Sequence, residues 1–175
     1  MRRVELQHVI LEVGERFALT EVFVIGSAAI LSAFPNPPQG VLTATRDVDI
    51  IPPDDNDERM ADQISYVIGE ASPFDIEYGY YAQGVSFRTP AYAPQGWQAR
   101  TIDMSVGKIV AHCMEPHDVV LSKLGAGREK DLEFASAAAA LALVQQSMLV
   151  ARLPLVHATS EHLRLISKRI SALYR

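Results

Sequence analysis

Residues 46–51, RDVDII, set two aspartates one residue apart inside a run of Val and Ile. Such a β-branched run reads as a strand. Side chains two apart on a strand share a face, so Asp47 and Asp49 project together, about 6–7 Å apart along the chain. Val48 and Ile50 then face a core. Two carboxylates held that close raise one another's pKa unless a cation lies near them, and idle charge on a core strand is costly. The chain therefore calls for a sheet with one dry face and one open to a cation. Paired oxygen ligands suit Mg²⁺ or Mn²⁺, with Mg²⁺ keeping several waters and taking one or two carboxylates plus substrate phosphates. The competing reading is a strand end running into the acidic loop IPPDDND (51–57). The pair alone does not separate the two.

Around this strand the pattern is α+β. Val4, Leu6, Val9, Ile10, Val13 and Phe17 recur at helical spacing, which predicts a helix over residues 3–18. VFVIG (22–26) reads as a buried strand, and SAAILSAF as a helix opening at Ser27 and broken by PNPPQG (35–40). DERMADQISYVIGEA reads as a surface helix capped by Asp55 or Asn56. FDIEYGYYAQGVSFR alternates aromatic and β-branched residues, as one strand or two. WQARTIDMSV and KIVAHCM form a hairpin turning near Gly107. From Pro116 the chain reads as helical, with breaks at Gly125–Gly127 and near Pro154. The expected architecture is a small mixed sheet flanked by helices, with a helical C-terminal segment.

With 49% of its 175 residues hydrophobic, the chain suits one domain over 1–175, its core about 20–115 and its helical part about 116–175. Charges interrupt MRRVELQHVILEV too early for a signal peptide, and no apolar run approaches the ~20 residues of a membrane span. We therefore read the protein as cytoplasmic, without a membrane partner. The single cysteine, Cys113, excludes an internal disulfide and a cysteine-cluster zinc site. His112, Cys113 and His117 form no regular ligand set and read as structural. There is no Gly-x-Ser-x-Gly elbow for a hydrolase.

Two further stretches carry chemistry. Gly26-Ser27 ends a strand and opens a helix, which offers backbone N–H groups and a hydroxyl to a phosphate. No Gly-Lys-Ser/Thr follows, so it is not a Walker loop, and taken alone an ordinary N-cap at Ser27 is the commoner explanation. SKLGAGREKDLEFA (122–135) gathers Lys123, Arg128 and Lys130 around a Gly-x-Gly break, with Asp131 placed to hold a cation. Lysine supplies a point charge for phosphate and arginine a bidentate fork. A solvated helix corner with internal pairs is the plainer alternative. In the last helix, Leu163, Ile166, Ile170 and Leu173 form an apolar face, while Arg164 and Lys168 share another and Arg175 falls near it. At a net charge of −5, any nucleic acid must be held by such local patches.

Taken in order, Gly-Ser, Asp-x-Asp and Lys with Arg-x-Lys-Asp resemble the nucleotidyltransferase superfamily related to DNA polymerase β. ATRDVDI and VVLSKLGAGREKDLEFA are more closely similar to minimal bacterial nucleotidyltransferases of the AbiEii and MenT toxin kind and their uncharacterised relatives, as are GYYAQGV (79–85) and PQGWQAR (94–100). The resemblance covers roughly residues 20–140. It implies a nucleotidyltransferase-fold core in which Gly26 and Ser27 engage nucleotide phosphates and Asp47 and Asp49 bind Mg²⁺. Lys123 would contact the triphosphate, Asp131 would complete the site, and Arg46, Arg128 and Lys130 are further nucleotide-binding candidates. The implied reaction is transfer of a nucleoside monophosphate from an NTP to an acceptor hydroxyl. The implied setting is a toxin acting on tRNA, with a cognate antitoxin protein as partner. Nineteen residues (28–46) separate Ser27 from Asp47, more than is usual in the family, and PNPPQG accounts for the excess. A third metal-binding carboxylate, with Asp75, Glu77 and Asp103 as candidates, is not singled out by the sequence. Its absence would favour a non-catalytic, antitoxin-like module that binds a nucleotide or a partner.

Overall fold

The computed structural model describes residues 1–53 and 58–175. Its centre is one mixed sheet of five short strands: β1 (Glu21–Ile25), β2 (Asp47–Ile51), β3 (Tyr81–Gly84), β4 (Ile102–Val106) and β5 (Ile109–Cys113), in the order β3-β2-β1-β5-β4. β1 runs antiparallel to β2 and parallel to β5, β3 runs parallel to β2, and β4–β5 is the expected hairpin. It turns through Gly107 at φ +60°. The architecture is α+β, as the pattern of elements required.

Alternation gives the sheet two unlike faces. Val22, Val24, Val48, Ile50, Ala82, Ala111 and Cys113 are fully buried on one. Helix α1 (Arg3–Phe17) lies there, with Leu6, Val9, Ile10 and Val13 buried and Gly14 against Ile109. Helix α2 (Arg59–Ile68) covers the β3 edge from the same side. A Cβ at Gly84 would stand 1.9 Å from the Ala61 carbonyl oxygen, so glycine is what lets α2 approach so closely. The Gly84 N–H donates to Ser65 Oγ at 2.9 Å, which occupies a backbone group that an edge strand would leave open. The cap expected at Asp55 or Asn56 lies outside the described residues. Phe23, Asp47, Asp49 and His112 share the other, half-buried face.

Three expectations are corrected. SAAILS forms a 3₁₀ turn over Ser27–Ser32, not an α-helix. FDIEY is the short helix α3 (Pro73–Tyr78), so only Tyr81–Gly84 of that stretch is strand. Ser72 Oγ accepts the Asp75 N–H at 3.2 Å, Pro73 occupies the first helical position, and Gly79 ends the helix at φ +76°. WQAR is a 3₁₀ turn that precedes β4.

The C-terminal part is helical as expected, with an extra break at 141–145. It comprises α4 (Pro116–Ala126), α5 (Glu129–Ala140), α6 (Gln146–Arg152) and α7 (Ser160–Ala172). Among the described residues, one ion pair fastens it to the sheet region and others tie its helices together. Asp118 is fully buried and receives Arg100 at 2.8 Å and Arg152 at 3.0 Å, while Arg152 also pairs with Glu115. His117 belongs to this network: its Nδ1 meets Glu115 at 2.6 Å and its Nε2 accepts the Gln145 N–H at 3.0 Å. Arg169 of α7 donates to the Leu124 carbonyl at 2.5 Å. Among the described residues no helix is long and apolar enough to cross a membrane.

Candidate functional site

β1 ends against the aspartates. Ile25 is the register partner of Asp49, and the chain turns at Gly26 with φ +69°. A Cβ on Gly26 would lie 2.3 Å from Asp49 Oδ2. Both the positive φ and this contact require glycine there. Ser27 follows, lining the same cleft, and its hydroxyl has no partner among the described residues. Gly26, not Ser27, takes the cap position. A six-residue 3₁₀ turn has little macrodipole, so a phosphate here would rely on the hydroxyl and backbone N–H groups.

Asp47 and Asp49 project to one face, as their spacing dictates. Thr45 donates its hydroxyl to Asp47 Oδ1. Burial, then the neighbouring Asp47 carboxylate, pushes Asp49 up to about 6, and Lys123, Lys130 and Arg128 offset this only partly. The free site is thus anion-rich and unrelieved. None of the three candidates for a third carboxylate joins the pair. Asp75 is held in α3 by Arg46 at 2.6 Å and the Ala71 N–H at 3.0 Å. Glu77 is exposed on that helix. Asp103 lies on β4, three strands from β2, bonded to His112 at 2.7 Å. The residue beside Asp49 on β3 is Gln83, exposed and lining the cleft. Sequence reading missed it, because only strand register reveals that neighbour.

The cations come from the α4–α5 corner. Gly127, at φ +67°, ends α4 with its N–H on the Lys123 carbonyl at 2.8 Å. Lys123 has a side chain only 12% exposed; its Nζ lies 3.1 Å from Asp131 Oδ1 and 4.5 Å from the Phe134 ring centroid. Arg128 donates Nε and Nη2 to the same carboxylate at 2.6 and 3.3 Å. Burial lowers the Lys123 pKa, with Asp131 opposing. Burial alone would raise Asp131, but Arg128 and Lys123 outweigh it and hold the carboxyl below its usual range. Asp131 is fully buried and does not line the cleft; it braces two cations that do. Lys130 lines the cleft without a partner among the described residues. Arg46 also borders it, with two donors engaged by Asp75 and the Gly79 carbonyl.

These residues enclose a cleft of about 870 Å³, within the range of small-molecule sites. Among the described residues no three His, Cys, Asp or Glu side chains are grouped to hold a metal. Two carboxylates on one face, facing cations that suit phosphates, fit an ion that completes its shell with phosphate oxygens and water. They do not fit a protein-only cage.

A family model described as "nucleotidyltransferase of unknown function (DUF6036)" matches residues 4–162. No curated protein and no solved structure matches the chain.

Proposed function

Because the chain belongs to this family of nucleotidyltransferases of unknown function, we propose that it moves a nucleoside monophosphate from an NTP to an acceptor hydroxyl with the help of Mg²⁺ or Mn²⁺. The observation that carries the reading is the meeting of Asp47 and Asp49 with the Gly26–Ser27 turn across a cleft from Lys123, Arg128 and Lys130. Ser27 and the backbone at the turn hold triphosphate oxygens, and the three cations offset their charge. Asp131 keeps Lys123 and Arg128 aimed at the cleft. Asp47 and Asp49 would hold the divalent ion, which supplies Lewis-acid polarisation of the phosphates and alignment of attacking and leaving oxygens. The acceptor oxygen bonds to the α-phosphorus, the bond to the bridging oxygen breaks, pyrophosphate leaves, and the acceptor proton passes to solvent. A tRNA hydroxyl as acceptor, in a toxin–antitoxin pair, is the setting we propose, supported by family resemblance.

Gln83 favours a second reading. An amide stands where a carboxylate would complete the site and serve as base, which suits a nucleotide-binding or partner-binding module without catalysis. One assay separates the two: each labelled NTP with Mg²⁺ or Mn²⁺ and total RNA. Label is expected on RNA, and Asp47→Asn with Asp49→Asn abolishes it. Absence of label on RNA, protein or small alcohols with either metal gives the binding-module reading the lead.

A further inference from the structure

Beside the nucleotide cleft lies a second cavity of about 540 Å³, and the two share Pro90 and Ala91 as a common wall. Its frame is fixed. The Gln95 N–H donates to the Leu155 carbonyl at 2.8 Å, Pro94 bridges Val156, and Tyr92 stacks on His162 with ring centroids 4.9 Å apart. Inside, Phe87 is 43% exposed, yet its ring is anchored 5.3 Å from Phe23 and 6.2 Å from Trp97. It therefore presents a held aromatic surface.

Among the described residues the polar side chains around that ring have no partners. Arg46, Arg100, Arg128 and Arg152 are each paired with a carboxylate. Arg88 is exposed and its guanidinium has no partner among the described residues. The same holds for the side chains of Gln95, Gln98 and His157, which also line the cavity. Among the described residues no carboxylate lines it, although acidic residues outnumber Lys and Arg by 21 to 16 in the chain. A local cation without an opposing acid selects an anion. An aromatic surface stacks a planar base, amides both donate to and accept from its edge, and arginine grips a phosphate bidentately. An apolar ligand would leave these donors unsatisfied, and a serine or tyrosine acceptor would bring no phosphate to Arg88.

We infer that this cavity is the acceptor pocket and that it takes an unpaired nucleotide of a single-stranded RNA, lodged across the Pro90–Ala91 wall from the NTP. The assignment rests on the transferase reading. Trp97, the only tryptophan, lines the cavity and not the nucleotide cleft, so its fluorescence is a reporter for this pocket. The probe is an eight-nucleotide single-stranded RNA of mixed sequence. It is expected to quench Trp97 saturably, whereas ATP with Mg²⁺ leaves the signal unchanged. Arg88→Ala and Phe87→Ala should each weaken RNA binding about tenfold, the size expected from losing a phosphate fork or one base stack; binding of a fluorescent NTP is unchanged in Arg88→Ala. Asp47→Asn with Asp49→Asn should keep RNA binding while transfer stops, so RNA binding without transfer in the wild type would count against the transferase and not against the pocket. Wild-type affinity in Arg88→Ala, or equal quenching by ATP, would overturn the pocket assignment. So would equal competition by a duplex of the same length.

Discussion

Asp49 lies against Gly26 with Asp47 beside it, and in the free protein its ionisation opposes folding. Burial and the Asp47 carboxylate push the carboxyl up to about 6 in the folded chain, from its ordinary 3.8. Below pH ~4 it is neutral in both states. Between about pH 4 and 6 the unfolded chain gives up this proton while the folded chain keeps it, so stability falls across that window, by an upper figure of about 3 kcal/mol, and levels off above 6. Asp49→Asn should therefore be more stable than wild type by about 1–3 kcal/mol at pH 7.5, with the gap closing near pH 4. Mg²⁺ with NTP should reverse the order, since only the wild type keeps both ligands. Urea melts at pH 4.5 and 7.5 measure this, and a gap constant with pH would remove the carboxylate as its source. The repulsion was legible in Asp-x-Asp alone. The approach of Gly26 to Asp49 was not, because only the Ile25–Asp49 register places them together.

Where elements were misread, a local rule had been outweighed by a louder one. Aromatic alternation in FDIEYGYY suggested a strand, yet Ser72-Pro73 and Gly79 already marked the two ends of a helix. The helix expected at Ser27 becomes a 3₁₀ turn after a glycine that has to be left-handed. The Gly-x-Gly corner was read correctly as a break, and its charges do pair among themselves, but around a buried acid. That changes what a mutation there does. An exposed Lys123 would be expendable to within about 1 kcal/mol; at 12% exposure over Phe134 it contributes packing as well as charge. Asp131→Ala should be the more damaging, by about 3 kcal/mol, because it leaves a largely buried ammonium without its counter-ion. Lys123→Ala should cost about 1–2 kcal/mol, since Arg128 still satisfies Asp131. Chemical denaturation of the two variants tests the ranking. If Lys123→Ala proves the costlier, Asp131 is not the brace.

The C-terminal helices, held to the sheet region by Arg100–Asp118 and to one another by Arg152 and Arg169, also set where cations can stand on an acidic molecule. With a charge of −5 the whole chain repels RNA at long range, so binding has to come from contacts within roughly a Debye length, about 8 Å at physiological salt. Arg164 and Lys168 are exposed on α7 with no partner among the described residues, on the side away from buried Ile166 and Ile170. That geometry was legible from i,i+4 spacing; whether it faces a backbone or only water is a matter of counter-ions. Each phosphate neutralised on a single strand contributes about 0.7 to the slope of log affinity against log salt. Arg164→Ala with Lys168→Ala should therefore flatten the slope by about 1.4 and weaken transfer to RNA at 50 mM salt. NTP binding should be untouched, since neither residue lines the nucleotide cleft. Arg88→Ala should flatten the slope by half as much, a single phosphate's worth, because one cation is lost in place of two. Titrations between 50 and 200 mM salt distinguish these cases. An unchanged slope in the double variant would make the outer face of α7 a solvated one, and leave the cavity around Arg88 as the remaining route for RNA to the cleft.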